Sequence, residues 1–291
     1  MTAFGTLDKL YRQKMSRQDF QRLGRMIETE YGIKMPPGKK DLLEARLRRR
    51  LKTLGMRSYK EYCDYVLSSD GLGDEIIHMM DVVTTNKTDF FRGPAHFDYL
   101  FKNVLPEMIS IKGLGINRDL MIWSAGCSSG EEPYTLAMVL SEFQERVPGL
   151  DFRFTILATD LSNRMLDVAS RAVYPEEKIS PIPSALKYKY LMKSKDKAKH
   201  LVRIVPELRH AVKFRRLNLL EENFGMREPV DIVFYRNVMI YFERPTQRNI
   251  LLKIIACMRP GGYLFIGHSE TLNGLDLPVV QVQPTIYRKP E

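Results

Sequence analysis

The stretch Leu120-Met121-Ile122-Trp123-Ser124-Ala125-Gly126-Cys127-Ser128-Ser129-Gly130-Glu131-Glu132-Pro133 decides the fold. Its first four residues form an apolar run that reads as a buried strand. The small residues 124–130 make a turn, and Glu131-Glu132-Pro133 opens a helix predicted over 133–146. A small-residue turn between strand and helix lets the backbone approach a ligand at the carboxyl end of the strand, where open α/β sheets bind them. With two glycines the turn does not match G-x-G-x-x-G, and no Lys-Ser/Thr pair follows to make it a P-loop.

Outward from this unit the same alternation recurs. Residues 154–158, 232–235 and 263–266 read as strands and residues 162–173 and 245–258 as helices. The pattern predicts an α/β fold with a Rossmann-like parallel sheet covered on both faces. Residues 279–288 have strand character and no helix before them, which predicts a closing antiparallel hairpin at one edge. Residues 175–215 break the rhythm and are expected to be an insertion carrying a small antiparallel β-subdomain, with the lysine-rich stretch 193–200 at its tip.

From about residue 16 to residue 72 the periodicity is helical. Leu43, Leu47, Leu51 and Leu54 share one face, Arg46, Arg48, Arg49, Arg50 and Lys52 fall mostly around the others, and Gly55 stops the helix. Residues 1–83 are therefore expected to form a basic, all-helical N-terminal domain and linker, and residues 84–291 the α/β domain.

The composition is that of a folded protein rather than a disordered one, at 44% hydrophobic and 27% charged residues. No uninterrupted apolar stretch reads as a signal peptide or membrane span. Cys63, Cys127 and Cys257 are odd in number and far apart, which suggests neither a disulfide framework nor a metal knuckle and favours a cytoplasmic location. The five histidines show no ligand spacing, so no metal is expected. The net charge of +10 implies an acidic partner: nucleic acid, an anionic membrane surface or an acidic protein.

Several residues carry candidate chemistry. Glu131 and Glu132 would repel a pyrophosphate but suit a ligand bearing an ammonium group, which S-adenosylmethionine carries and NAD does not. For one of them the alternative is a simple contribution to the helix dipole. Asp160 ends the second strand, where a carboxylate can accept hydrogen bonds from both hydroxyls of a ribose; its alternative is an N-cap for the following helix. Asn218-Leu219 and Arg236-Asn237 follow the third and fourth core strands. Asparagine amides suit an adenine edge or an amino-acid head group, or hold their own turns. His268-Ser269-Glu270 is not a hydrolase triad, because neighbours on one short turn cannot hold three roles; a structural turn is the reading.

With these residues in view, the chain resembles the chemotaxis protein methyltransferases that modify chemoreceptor glutamates, over nearly its whole length. The segments that carry the resemblance are Thr84-Thr85-Asn86-Lys87-Thr88-Asp89-Phe90-Phe91-Arg92, Trp123-Ser124-Ala125 with Ser129-Gly130-Glu131-Glu132-Pro133-Tyr134, Ala158-Thr159-Asp160, Arg236-Asn237-Val238-Met239-Ile240-Tyr241-Phe242 and Gly267-His268-Ser269-Glu270. The resemblance implies an S-adenosylmethionine-dependent protein-glutamate O-methyltransferase whose cofactor contacts are Asn86, Thr88, Arg92, Glu131, Asp160, Asn218, Leu219, Arg236 and Asn237. It places Arg92 and Tyr241 nearest the transferred methyl group and yields S-adenosylhomocysteine as product.

The implied partner is the cytoplasmic coiled-coil domain of chemoreceptors, and the enzyme is expected to be a monomer; the charge of the face with Arg46, Arg49 and Arg50 would attract acidic receptor helices, its alternative being a solvated helix face. Family members that dock on a receptor's C-terminal pentapeptide do so through a glycine-rich turn of the β-subdomain. Here the turn is Lys193-Ser194-Lys195-Asp196-Lys197-Ala198-Lys199-His200 with no glycine, so docking without that tether is expected. Against the enzyme on receptors stand two other readings, an RNA methyltransferase and a non-catalytic cofactor-binding scaffold. No RNA-binding module is recognised, which argues against the first; intact Arg92 and Tyr241 argue against the second.

Overall fold

The computed structural model describes residues 14–68, 74–84, 86–113, 116, 118–149 and 151–291. The start of the chain, residues 69–73 of the expected helical domain and Thr85 of the quoted motif lie outside the described residues. Contacts divide the chain into two compact units: the residues before Asn86 with Tyr241–Thr246, and Asn86–Ile240 with Gln247–Glu291.

The first unit is helical, with α1 (Arg17–Tyr31), α2 (Lys40–Leu54), α3 (Tyr59–Val66) and α4 (Asp74–Val83). Ser16 caps α1 by accepting the Asp19 N–H at 3.0 Å. On α2, Leu43, Leu47 and Leu51 are buried and Leu54 is half-buried at the end of the stripe. Gly55 ends the helix in the left-handed conformation, φ 68°.

Part of the basic surface of α2 is committed within its own unit. Arg46 donates to the carbonyl of Thr84 at 3.1 Å and to that of Val83. Arg50 forks onto Glu75, its Nε 2.8 and 3.0 Å from the two carboxylate oxygens, and Glu75 also accepts the Tyr62 hydroxyl at 2.9 Å. Two of the three arginines expected to face a partner therefore brace α2 against its own unit, while Arg49 is exposed.

The second unit opens with α5 (Pro94–Tyr99), a π-helical stretch Leu100–Val104 and α6 (Leu105–Lys112). Then follow β1 (Leu120–Ala125), α7 (Glu131–Arg146), β2 (Phe154–Asp160), α8 (Asn163–Arg171), β3 (Val173–Pro175), α9 (Ser184–Tyr190), β4 (Leu191–Lys193), β5 (Leu201–Ile204), α10 (Pro206–Ala211) and β6 (Val212–Arg216). The chain ends with β7 (Val230–Tyr235), α11 (Arg244–Ala256), β8 (Met258–Ile266), β9 (Val280–Gln283) and β10 (Ile286–Arg288).

Seven strands form one sheet in the order β6-β2-β1-β7-β8-β10-β9. The first five run parallel, and β10 runs antiparallel to both β8 and β9, forming the closing hairpin. All six residues of β7 are buried, as a strand covered on both faces requires. One of them is Asp231, whose charge is met by a two-pronged bond from Arg118 at 2.8 and 2.6 Å and by the Met121 N–H at 2.9 Å. Strand order reverses about β1, which opens a crevice at the carboxyl ends of β1 and β7.

A separate sheet of order β3-β5-β4 is inserted after α8, and the lysine-rich turn joins β4 to β5. Strand β6, which the sequence places inside the insertion, pairs instead with β2 from Ile156↔Val212 to Asp160↔Arg216. It is the outermost strand of the large sheet, so its basic, alternating pattern resembles that of the insertion it follows. Among the described residues no helix is long and apolar enough to cross a membrane.

Candidate active site

The functional residues of the second unit gather at the carboxyl edge of its sheet. After β1 the chain turns back through Gly126, φ 88°, and Gly130, φ 95°. A Cβ at Gly126 would overlap Val238, and one at Gly130 would lie 2.9 Å from both Ala169 Cβ and the Tyr174 hydroxyl. The glycines thus serve the packing of the turn against its own neighbours. The Gly126 and Cys127 N–H groups donate to the Thr159 carbonyl at 2.8 and 2.9 Å, and Tyr174 donates to the Ser129 carbonyl at 2.8 Å.

Asp160, at the tip of β2, accepts the Ser128 N–H at 2.8 Å on one oxygen and the Ser162 N–H at 2.9 Å on the other. The helix cap itself is Ser162, whose hydroxyl accepts the Met165 N–H at 3.2 Å. These two backbone bonds, one per oxygen, fix the carboxylate at the strand tip.

The two glutamates after the turn have different surroundings. Glu131 is 1% exposed, accepts the Ser129 hydroxyl at 2.7 Å, and is pushed above the usual carboxylate range by burial. Glu132 accepts the Ser124 hydroxyl at 2.8 Å and Arg236 Nη1 at 3.1 Å, and burial raises it too. Glu132 is therefore a brace between the ends of β1 and β7. Arg236, itself buried, directs Nη2 onto the Arg92 carbonyl, and its Nε has no protein partner.

Around these lie the remaining residues singled out from the sequence. The Asn86 carbonyl accepts the Ser128 hydroxyl at 3.3 Å, and the Thr88 carbonyl accepts Lys178 Nζ at 3.4 Å. Arg92 is exposed, with Nη1 on the Lys87 carbonyl at 3.1 Å. Asn218 accepts the Leu220 N–H on its own side-chain oxygen at 3.1 Å, the turn-holding role weighed from sequence, and Lys253 pins the Leu219 carbonyl at 2.8 Å. Asn237 adopts φ 60° beside Gly267.

Nine of the ten residues thus belong to one unit. Tyr241 groups with the helical unit, where its carbonyl accepts the Lys34 N–H at 2.9 Å.

Two organisers escaped the sequence reading of roles. Glu270 accepts the N–H groups of Asn237 at 2.9 Å, Met239 at 3.0 Å and Gly267 at 2.6 Å, so one buried carboxylate shapes the whole turn after β7. Tyr174 ties the inserted sheet to the turn after β1. Glu270 stood in a quoted segment and was read as a turn, which it is; nothing in the sequence showed which backbone it would hold.

A parallel sheet of this order, with an acid-tipped second strand and a glycine turn after the first, is the frame of an S-adenosylmethionine-dependent methyltransferase. The donor set fits that cofactor: the acids at 131 and 160 suit a cationic nucleoside, and the exposed guanidinium at 92 suits a carboxylate. Residues 86–287 match the family model described as CheR methyltransferase, SAM binding domain, and residues 18–84 the one described as CheR methyltransferase, all-alpha domain. The chain belongs to the CheR methyltransferase family.

Among curated relatives it is 38% identical to the chemotaxis protein methyltransferase of Borreliella burgdorferi, covering 94% of this chain and 95% of that one. It is 36% identical to chemotaxis protein methyltransferase 2 of Pseudomonas aeruginosa, with 94% and 93% covered. To the chemotaxis protein methyltransferase of Escherichia coli it is 32% identical, with 95% and 92% covered. The protein is an S-adenosylmethionine-dependent methyltransferase of chemotaxis.

Proposed function

We propose that the methyl acceptors are glutamate side chains on the cytoplasmic coiled-coil domain of chemoreceptors, which become glutamyl methyl esters. The observation that carries this reading is Arg92: an exposed guanidinium at the carboxyl edge of the sheet, on a backbone fastened to Arg236. A glutamate carboxylate with an ordinary pKa of about 4.3 is ionised at neutral pH and needs no general base. What it needs is alignment, which can contribute as much as roughly 7 to 11 kcal/mol to lowering a barrier. A guanidinium fork offers two-pronged orientation of a carboxylate.

Bound S-adenosylmethionine supplies the electrophilic sulfonium methyl group. The chain's part is to hold and align. Asp160 receives the ribose and Glu131 the ammonium group, with Asn86, Thr88, Asn218, Leu219, Arg236 and Asn237 completing the cofactor contacts. Arg92 orients a carboxylate, and Tyr241 is the second residue assigned to the transfer step.

Receptor docking is proposed to need no C-terminal pentapeptide, since the β4–β5 turn has no glycine and carries a 3₁₀ turn at Lys197–Lys199. Of the cations first considered for docking on α2, Arg49 is the exposed one, and a net charge of +10 favours acidic receptor helices.

The test is transfer of tritiated methyl to purified receptor cytoplasmic fragments with and without their tails, followed by release of label in mild base. Base-labile label on both forms is expected. Label that requires the tail would overturn tail-free docking, and base-stable label would overturn the glutamyl ester.

A further inference from the structure

Arg92 sits at the crest of a turn that the sequence alone would not hold. Phe91 before it has φ 52° and Gly93 after it has φ 69°, so two left-handed residues bracket it. For phenylalanine that conformation is unfavourable and persists where surrounding structure fixes it. Two side chains do so, Thr135 of α7 and Arg236 after β7. The Phe91 N–H donates to Thr135 Oγ1 at 3.1 Å, and the Arg92 carbonyl accepts Arg236 Nη2, whose other arm rests on Glu132.

Thr135 is fully buried, and its hydroxyl proton is committed to the Glu131 carbonyl at 2.7 Å. The hydroxyl oxygen is therefore turned to Phe91 as an acceptor. We infer that Thr135 is a positioning residue for methyl transfer: its hydroxyl fixes the Phe91–Gly93 turn and so sets where Arg92 presents its guanidinium. This rests on the reading of Arg92 given above.

The experiment compares Thr135→Val, Thr135→Ser and Arg92→Ala, singly and with Thr135→Val and Arg92→Ala combined, in the full chain. Single-turnover rates on a receptor cytoplasmic fragment are measured at saturating cofactor and normalised to the fraction of chains that bind cofactor. Valine keeps the volume of threonine and removes the acceptor; serine restores it. Thr135→Val is expected to slow transfer by roughly 10- to 100-fold, the scale of a small misplacement at a reacting centre. Thr135→Ser should stay within about twofold of the parent on the same scale. In the Arg92→Ala background the valine substitution should add nothing further, because Thr135 acts through Arg92.

Thr135→Ala gives the same reading should the valine variant not fold. A Thr135→Val enzyme that melts lower but transfers at the parent rate overturns the inference while leaving the role of Arg92 intact. Equal slowing by Thr135→Val with and without Arg92 also overturns it. An Arg92→Ala enzyme at the parent rate instead overturns the underlying reading, and the inference with it.

Discussion

The Asp160 carboxylate holds the backbone of Ser128 at 2.8 Å, so the acid at the tip of β2 fixes the turn that follows β1. One side chain thereby joins two tasks, shaping the glycine turn and offering acceptors to a ribose. Asp160→Ala should weaken cofactor binding by roughly 10- to 100-fold, since hydrogen bonds to a charged group contribute about 1.5–3 kcal/mol each. Titration calorimetry with S-adenosylhomocysteine measures this; unchanged affinity would leave Asp160 a purely structural residue.

Gly126 is held at φ 88°, and Val238 occupies the place a Cβ would take. Gly126→Ala therefore meets both a backbone penalty and an overlap, and should lower stability by about 1–3 kcal/mol in urea unfolding. Adding Val238→Ala makes room but leaves φ unchanged, so the double variant should recover part of the loss. Full recovery would show that the overlap alone mattered.

The sheet was legible because its strands are buried on both faces and so read as short apolar runs, as in 120–123 and 232–235. The boundary at β6 was not, because an edge strand half exposed to water carries Lys213, Arg215 and Arg216 and imitates the polar insertion before it. That Asp160 ends β2 was legible from the apolar run before it. The division of labour between Glu131 and Glu132 was not, since it depends on Arg236, which lies 104 residues from Glu132. The basic face of α2 shows the same limit: a charge run gives the sign of a surface, but Arg46 and Arg50 are committed to Thr84 and Glu75 by tertiary contacts that no helical periodicity reveals.

Tyr174 reaches from β3 to the Ser129 carbonyl at 2.8 Å, so the inserted sheet helps to hold the turn after β1. Tyr174→Phe removes one neutral hydrogen bond, for which the net cost is about 1 kcal/mol. A weakening of cofactor affinity by roughly fivefold corresponds to that figure. The transfer rate at saturating cofactor should stay unchanged; a fall in that rate would place Tyr174 in the alignment of the acceptor instead.

His96 gives the fold a defined acid sensitivity. Its Nε2 lies 2.8 Å from Thr285 Oγ1, and that hydroxyl donates its own proton to the Pro284 carbonyl at 2.6 Å. Nε2 must then carry the imidazole proton, which leaves buried Nδ1 bare and without a partner. A second proton would put an unpaired N–H there, in a buried site beside Arg236. Burial first, then Arg236 and His268, lowers the His96 pKa to about 3 from an ordinary 6.5.

Because the folded value lies below the unfolded one, the unfolded chain binds more protons as pH falls through 6.5, and stability is lost from there toward pH 3. The slope due to this residue is at most about 1.4 kcal/mol per pH unit. His96→Phe keeps an aromatic ring against Phe265, with which His96 makes an edge contact at 5.5 Å. Urea midpoints between pH 4.5 and 7.5 should fall less steeply with acid in His96→Phe than in the parent. Parallel curves would mean that the imidazole takes its second proton in the folded protein as readily as in the unfolded chain.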